Sequence, residues 1–412
     1  MNQRKITLDI NLINALRKFL PSRAEEIIAN PELFCTPFSG GFSGRSPFKL
    51  TIDDKMYVVR QLNPNVDNDI QALTNKHNKA TQVKSTDDEF LSILNKYRDV
   101  NLREITGNHI ADDNKIGPKI HYQDSLVIIT DLAAGTPINS NDYMDPVKIA
   151  EVIKSLTKLH SAPVDQINVQ SSDKMKTLTV TDRCGFYLHM ILDHDAGYSK
   201  LFHDIDTKMK KLDEAMTIMA TKLNIPTTWV HADFWGSNIL YDASKPNDER
   251  VSLIDWTDCG LGNPYYDLAY FLNYGFNPAT NKILDDDYTK KLLRGYEMSS
   301  NNQSNADNHD LFEYLKVMRE FCYLRQGLWA LSMLVEKNVK YDPGKIADVS
   351  IDELRRMLYT KETSNSTTNG LELLAKCYLK RFMNDSFVDD YVERASRLKA
   401  PTLQATTPFT NK

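Results

Sequence analysis

Apolar residues near the start of the chain recur at Ile10, Leu12, Ile13, Leu16, Phe19 and Leu20, a helical spacing that predicts one amphipathic helix over Asp9 to Ile28. The period then changes. A glycine-rich turn, Phe38-Ser-Gly-Gly-Phe-Ser-Gly44, leads into Phe48 to Ile52 and Met56 to Arg60, two strand-like runs around Asp53-Asp54 that predict a hairpin. Residues 65–101 are polar and poorly patterned, with one helix expected over Phe90 to Tyr97. Leu102 to Ala111 is helix-like and stops at Gly117-Pro118; Lys119 to Tyr122 and Leu126 to Thr130 are rich in β-formers. Beyond Asp145 the pattern is mostly helical, through Ile153 to His160, Phe186 to Leu192 and Met209 to Leu223, with short strands at Trp229-Val230 and Ser252 to Ile254. Ser299 to Asn308 is too polar to pack, and Pro401 to Lys412 is expected to be a disordered tail.

Strands first and helices afterwards predict an α+β fold of two lobes. Residues 1–130 form the N-lobe, with an insertion near 65–101, and 131–137 a hinge where Thr130 to Pro137 breaks the pattern. Residues 138–340 form the C-lobe, 341–400 a helical extension and 401–412 the tail.

Composition narrows the function classes. A net charge of -5 over 412 residues gives no electrostatic reason for a nucleic acid partner, and no apolar run is long enough for a membrane span. The five cysteines, Cys35, Cys184, Cys259, Cys322 and Cys377, are odd in number and lack a C-x-x-C pair, which fits neither a disulfide framework nor a zinc site. A cytoplasmic protein is expected, unless the polar tail carries a secretion signal.

The chemistry concentrates in His231-Ala-Asp-Phe-Trp-Gly-Ser-Asn238, after one strand, and Leu253-Ile-Asp255-Trp256 on the next. Phosphoryl transfer to a hydroxyl needs a carboxylate near the nucleophile, and an amide and a second carboxylate on Mg²⁺. Asp233, Asn238 and Asp255 provide that set. Together with Leu253 to Ala269, which contains Asp258 and Tyr-Tyr-Asp267-Leu-Ala, these segments resemble the choline-kinase and aminoglycoside-phosphotransferase family, closest to bacterial choline and ethanolamine kinases.

The resemblance runs from about Phe38 to Lys337 and implies a protein-kinase-like fold using ATP and Mg²⁺. It implies Asp233 as catalytic base, His231 as a brace for the loop, Asn238 and Asp255 as metal ligands, and Asp267 as a buried structural aspartate. Ser39, Gly40, Gly41, Ser43 and Gly44 resemble the nucleotide loop, whose glycines let backbone N–H groups approach phosphate. Arg60 stands where the phosphate-gripping cation belongs; its partner is Glu104, thirteen residues before Gly117, or Glu89. The backbone near Asp131 and Ala133 is expected to read adenine, and His160 closes the family's L-x-x-L-H helix.

The expected acceptor is a small-molecule alcohol, choline or a related amino alcohol, with Trp235, Tyr265 and Trp329 as aromatic walls and Asp258 as countercharge. One departure weakens choline: the family's glutamate after Asp-Trp is here Thr257. The alternatives are an aminoglycoside, polyol or amino-sugar kinase, with acids such as Asp285 and Glu297 lining the site, and a non-catalytic nucleotide-binding interaction protein.

Overall fold

The opening periodicity is met by two helices, α1 (Ile10–Phe19) and α2 (Ala24–Ala29), where one was expected. Pro21 lies in the turn between them, since proline cannot supply the N–H that an uninterrupted helix needs. Asp9 caps α1, its carboxylate accepting from the amides of Asn11 and Leu12. The structure, a computed structural model, describes residues 8–38, 47–63, 100–164, 179–194, 198–300 and 308–397. The glycine-loop residues Ser39 to Gly44, Glu89, the helix expected over Phe90 to Tyr97 and the tail lie outside the described residues.

After the short helix α3 (Pro31–Phe34), strands β1 (Cys35–Pro37), β2 (Phe48–Ile52) and β3 (Lys55–Gln61) lead to helix α4 (Val100–Asp113), then to β4 (Ile120–Gln123) and β5 (Val127–Asp131). The five strands form one antiparallel sheet in the order β1-β2-β3-β5-β4, with Arg60 paired to Ile128. Leu12, Leu16 and Ile27 from the first two helices pack with Leu50, Val59, Val127 and Ile129 from the sheet as a small separate core.

The larger lobe is mainly helical. Its elements are β6 (Thr136–Pro137), α5 (Pro146–His160), α6 (Val180–His194), α7 (Ser199–Lys222), β7 (Thr228–Val230), β8 (Ile239–Tyr241), β9 (Val251–Leu253) and β10 (Gly260–Gly262). Helices α8 (Pro264–Tyr274), α9 (Asp286–Ser299), α10 (Asn308–Glu336), α11 (Ile351–Tyr359), α12 (Thr368–Asn384) and α13 (Ser386–Arg397) follow, with a minor hairpin of β11 (Phe276–Asn277) and β12 (Lys282–Ile283) after α8. Among the described residues no helix is long and apolar enough to cross a membrane, and all five cysteines are buried and free.

Several strands of two or three residues escaped the sequence pattern, and one of them, β8, changes the site's wiring. β7 pairs with β10, whereas β9 pairs with β8, a strand of three residues directly after Asn238. Asp233 and Asp255 therefore meet through two separate two-strand pairings. The expected hinge is also more regular than its sequence suggests, because Thr136 and Pro137 pair with β8.

Candidate active site

The loop after β7 turns sharply: Ala232 has φ +62° and Asp255, at the end of β9, has φ +65°. Left-handed backbone is costly for a residue with a Cβ and persists where the surroundings fix it. The fixing group at Ala232 is Asp267 in the first turn of α8. Its carboxylate, with no solvent exposure, accepts from the amide of His231 at 2.8 Å and that of Ala232 at 2.7 Å. Nε2 of His160 lies 3.1 Å from the same group, and the Tyr296 hydroxyl lies 2.7 Å from the other ring nitrogen, Nδ1. His231 is buried, its Nε2 lying 3.0 Å from the carbonyl oxygen of Ile254, next to Asp255. It thus ties the two loops together.

Asp233 follows two residues after His231, its side chain 27% exposed. Its Oδ2 accepts from Asn238 Nδ2 at 2.8 Å and from the Trp235 indole N–H at 3.2 Å, and its backbone oxygen accepts from Asn238 at 2.9 Å. Desolvation by the cleft walls lifts the Asp233 carboxyl above its ordinary range; Arg325 opposes this, and the negative charges of Asp258 and Asp255 add to it. Because Asn238 Nδ2 is bound to Asp233, the amide oxygen is turned away from it. The register of β8 and β9, and the Ile254 N–H to Asn238 backbone bond at 3.0 Å, place Asn238 beside Asp255. An amide oxygen next to a carboxylate is a hard-oxygen donor set suited to Mg²⁺.

Arg60 comes from the small lobe. Its guanidinium lies 2.7 Å from Glu104 and 3.0 Å from Asp255. Glu104 is buried on α4; desolvation raises its carboxyl and Arg60 pulls it back down. Beside this ion pair lies a slot of about 230 Å³, with Val58 and Ile128 above, Leu240 and Ile254 below, and Asp131, Leu132 and Ala133 at the back. The amide of Asp131 is committed to Lys119 and that of Leu132 to Met56, whereas that of Ala133 makes no backbone bond among the described residues, which leaves Ala133 as the polar edge.

The expected acceptor walls fare unevenly. Trp235 stands at the base, its ring 4.8 Å from that of Tyr274. Tyr265 is buried and gives its hydroxyl to Glu297 at 2.6 Å, so both face the core, and Asp285 caps α9 through the Tyr288 amide. Trp329 is half-buried on α10, packed against the large core. Asp258 is held by two buried arginines, Arg325 at 2.7 Å and Arg183 at 3.2 Å. Although burial pushes its carboxyl up, the guanidiniums of Arg183, Arg325 and Arg103 hold it below the ordinary range.

The sequence reading missed Arg183, Arg325, Tyr274 and Arg355. A signal existed for one of them: Arg325 interrupts a long apolar run on α10, where a cation implies a buried partner.

Residues 35–298, more than half of the chain, match the model of the phosphotransferase enzyme family. In three dimensions the chain is similar to choline kinase from Cryptosporidium parvum Iowa II, with 14% identity, a TM-score of 0.60, and 94% of this chain and 99% of that one covered. An ethanolamine kinase of Plasmodium vivax gives 14% identity and a TM-score of 0.57, covering 90% and 85%. A choline/ethanolamine kinase family protein of Mesorhizobium loti gives 14% and 0.51, covering 92% and 98%. At these identities the likeness carries the two-lobed kinase-like fold. No sequence match was found among curated proteins.

Proposed function

Because the chain belongs to the phosphotransferase enzyme family, we propose that this kinase moves the γ-phosphoryl group of ATP, with Mg²⁺, onto the hydroxyl of a small molecule. The observation that carries this reading is a chain of contacts across the lobes: Arg60 meets both Glu104 and Asp255, the residue before Asp255 bonds to the backbone of Asn238, and Asn238 donates to Asp233. Val58, Ile128, Leu240 and Ile254 would clasp a flat heterocycle. Arg60 would meet its phosphates, a guanidinium being suited to bidentate contact with phosphate oxygens. Asn238 and Asp255 would hold Mg²⁺, which supplies charge neutralisation on the phosphoryl oxygens.

Asp233 takes the proton of the acceptor hydroxyl. That oxygen forms its bond to the γ-phosphorus as the bond to the bridging oxygen breaks, and ADP leaves. Asn238 and Trp235 aim the Asp233 carboxylate by donating to one of its oxygens. Asp267 holds the loop backbone from behind.

For the acceptor, Trp235 and Tyr274 offer the aromatic faces that a choline-like cation uses. The carboxylate expected to balance such a cation, Asp258, is committed to two arginines. An aminoglycoside would require several unpaired acids, and Asp285 and Glu297 serve a helix cap and a core tyrosine. A non-catalytic scaffold has no need to bring a base, an amide and a second carboxylate together.

Steady-state ADP release tests the assignment. Asp233→Asn is expected to lower kcat by on the order of a hundredfold or more with little change in the KM for ATP. Asp255→Ala is expected to abolish turnover in a folded protein. Near-normal turnover by Asp255→Ala would remove the metal assignment, and loss of ATP binding by Asp233→Asn would make Asp233 a nucleotide ligand.

A further inference from the structure

We propose that the acceptor alcohol carries an anionic group, a carboxylate or a phosphate, and that the buried guanidinium of Arg355 receives it. The inference rests on the kinase reading and names its substrate class. Three observations support it.

Arg355, on α11, is 5% exposed, and among the described residues no carboxylate pairs with it. Of its five N–H donors, one reaches Gln326 Oε1 at 3.2 Å, and Nε has no partner. The guanidinium lies over Tyr274 at 4.8 Å and Tyr378 at 5.6 Å. Aromatic faces offset part of the cost of burying a cation, but buried charges are as a rule paired as well. A cation left with free donors is a place for an anion.

Its position connects it to the reaction. Tyr274 lies against Trp235 at 4.8 Å, and Trp235 donates to Asp233. Gln326, which holds Arg355, is the residue after Arg325, and Arg325 lies 3.7 Å from Asp233. Arg355 is thus linked to Asp233 through one tyrosine and one tryptophan.

The charge balance agrees. On the acceptor side, Asp233 and Asp258 are set against Arg183, Arg325 and Arg355, and Asp258 is committed to the first two of these arginines. Among the described residues a cationic head group finds there only Asp258, held by two arginines, and Asp233, 3.7 Å from Arg325. An anionic one finds an unpaired guanidinium.

The test compares four acceptors in ADP-release assays on the full chain: choline, glycerol, D-glycerate and glycerol 3-phosphate. The last two distinguish carboxylate from phosphate. The expected result is a kcat/KM for one of them at least tenfold above that for glycerol and choline. Arg355→Gln then lowers kcat/KM for that anion about tenfold more than for glycerol, as loss of a charge-assisted hydrogen bond predicts, with the effect in KM. Arg355→Lys, which keeps the charge, recovers part of it; a purely structural role would lower all acceptors together. A higher kcat/KM for choline or glycerol overturns the inference and leaves the kinase reading standing. Absence of transfer to all four overturns the inference as well. The kinase reading is judged separately, by the Asp233→Asn and Asp255→Ala variants assayed for ADP release.

Discussion

Asp233, the base of the proposed reaction, would serve only while it is ionised, so the forces on its carboxyl would set the acid side of the activity profile. Desolvation lifts it, Arg325 opposes that, and Asp258 and Asp255 add to it. A raised pKa means that kcat/KM falls as pH drops through a value above the ordinary aspartate range. Removing the opposing cation moves that limb further up. The expected outcome of a pH profile of Arg325→Met beside the parent is therefore an acid limb shifted to higher pH; an unmoved limb would mean that Arg325 acts only on Asp258. Asp258 would behave in the opposite way, since its guanidinium neighbours hold it ionised. Two carboxylates in one cleft are thus kept apart in role by where the arginines stand.

Helix α4 carries the phosphate-side ion pair, and its seating depends on one small residue. A Cβ at Gly107 would lie 2.6 Å from the Trp256 Cβ, 2.9 Å from its Cε3 and 3.0 Å from the Cys259 Cβ. Trp256 is fully buried, next to Asp255. Gly107→Ala must therefore lift α4 away from the larger lobe, and Glu104 with it, loosening the hold on Arg60. Overpacking of this kind costs about 1–3 kcal/mol, more than the ~1 kcal/mol that alanine gains over glycine in a helix. The variant is expected to melt at lower temperature and to show a raised KM for ATP with kcat less affected. A neutral effect on both would show that α4 is not held by this contact.

At the scale of the whole molecule, the lobes have separate cores and share the nucleotide cleft. A ligand that binds only the folded protein adds RT ln(1 + [L]/Kd) to its stability, about 2.7 kcal/mol at a hundredfold excess over Kd. ATP with Mg²⁺ is therefore expected to raise the melting temperature, and Asp255→Ala to lose the Mg²⁺-dependent part of the rise. An equal rise with ATP in the presence and absence of Mg²⁺ would count against Asn238 and Asp255 as the metal pair.

The two-lobed α+β plan was legible in the chain itself, and so was the grouping of Asp233, Asn238 and Asp255, because strand and helix periods and the spacing within one loop are local properties. So was Glu104, through its distance from Gly117-Pro118. Strand β8 was not, since three residues are too few to show a period, and without it the partners of β7 and β9 cannot be read. Nor was the fate of the aromatic walls: Tyr265, Trp329 and Trp235 read alike on paper, and only packing put the first in the core, the second against it and the third beside Asp233. The charge on the acceptor side lay furthest from view. Asp258 looks like a free countercharge until the fold brings in Arg183 and Arg325 from two other helices, and Arg355 from a third faces Tyr274. Sequence spacing carries the chemistry of one loop, whereas the sum of charges in a cleft depends on residues that meet only through the tertiary structure.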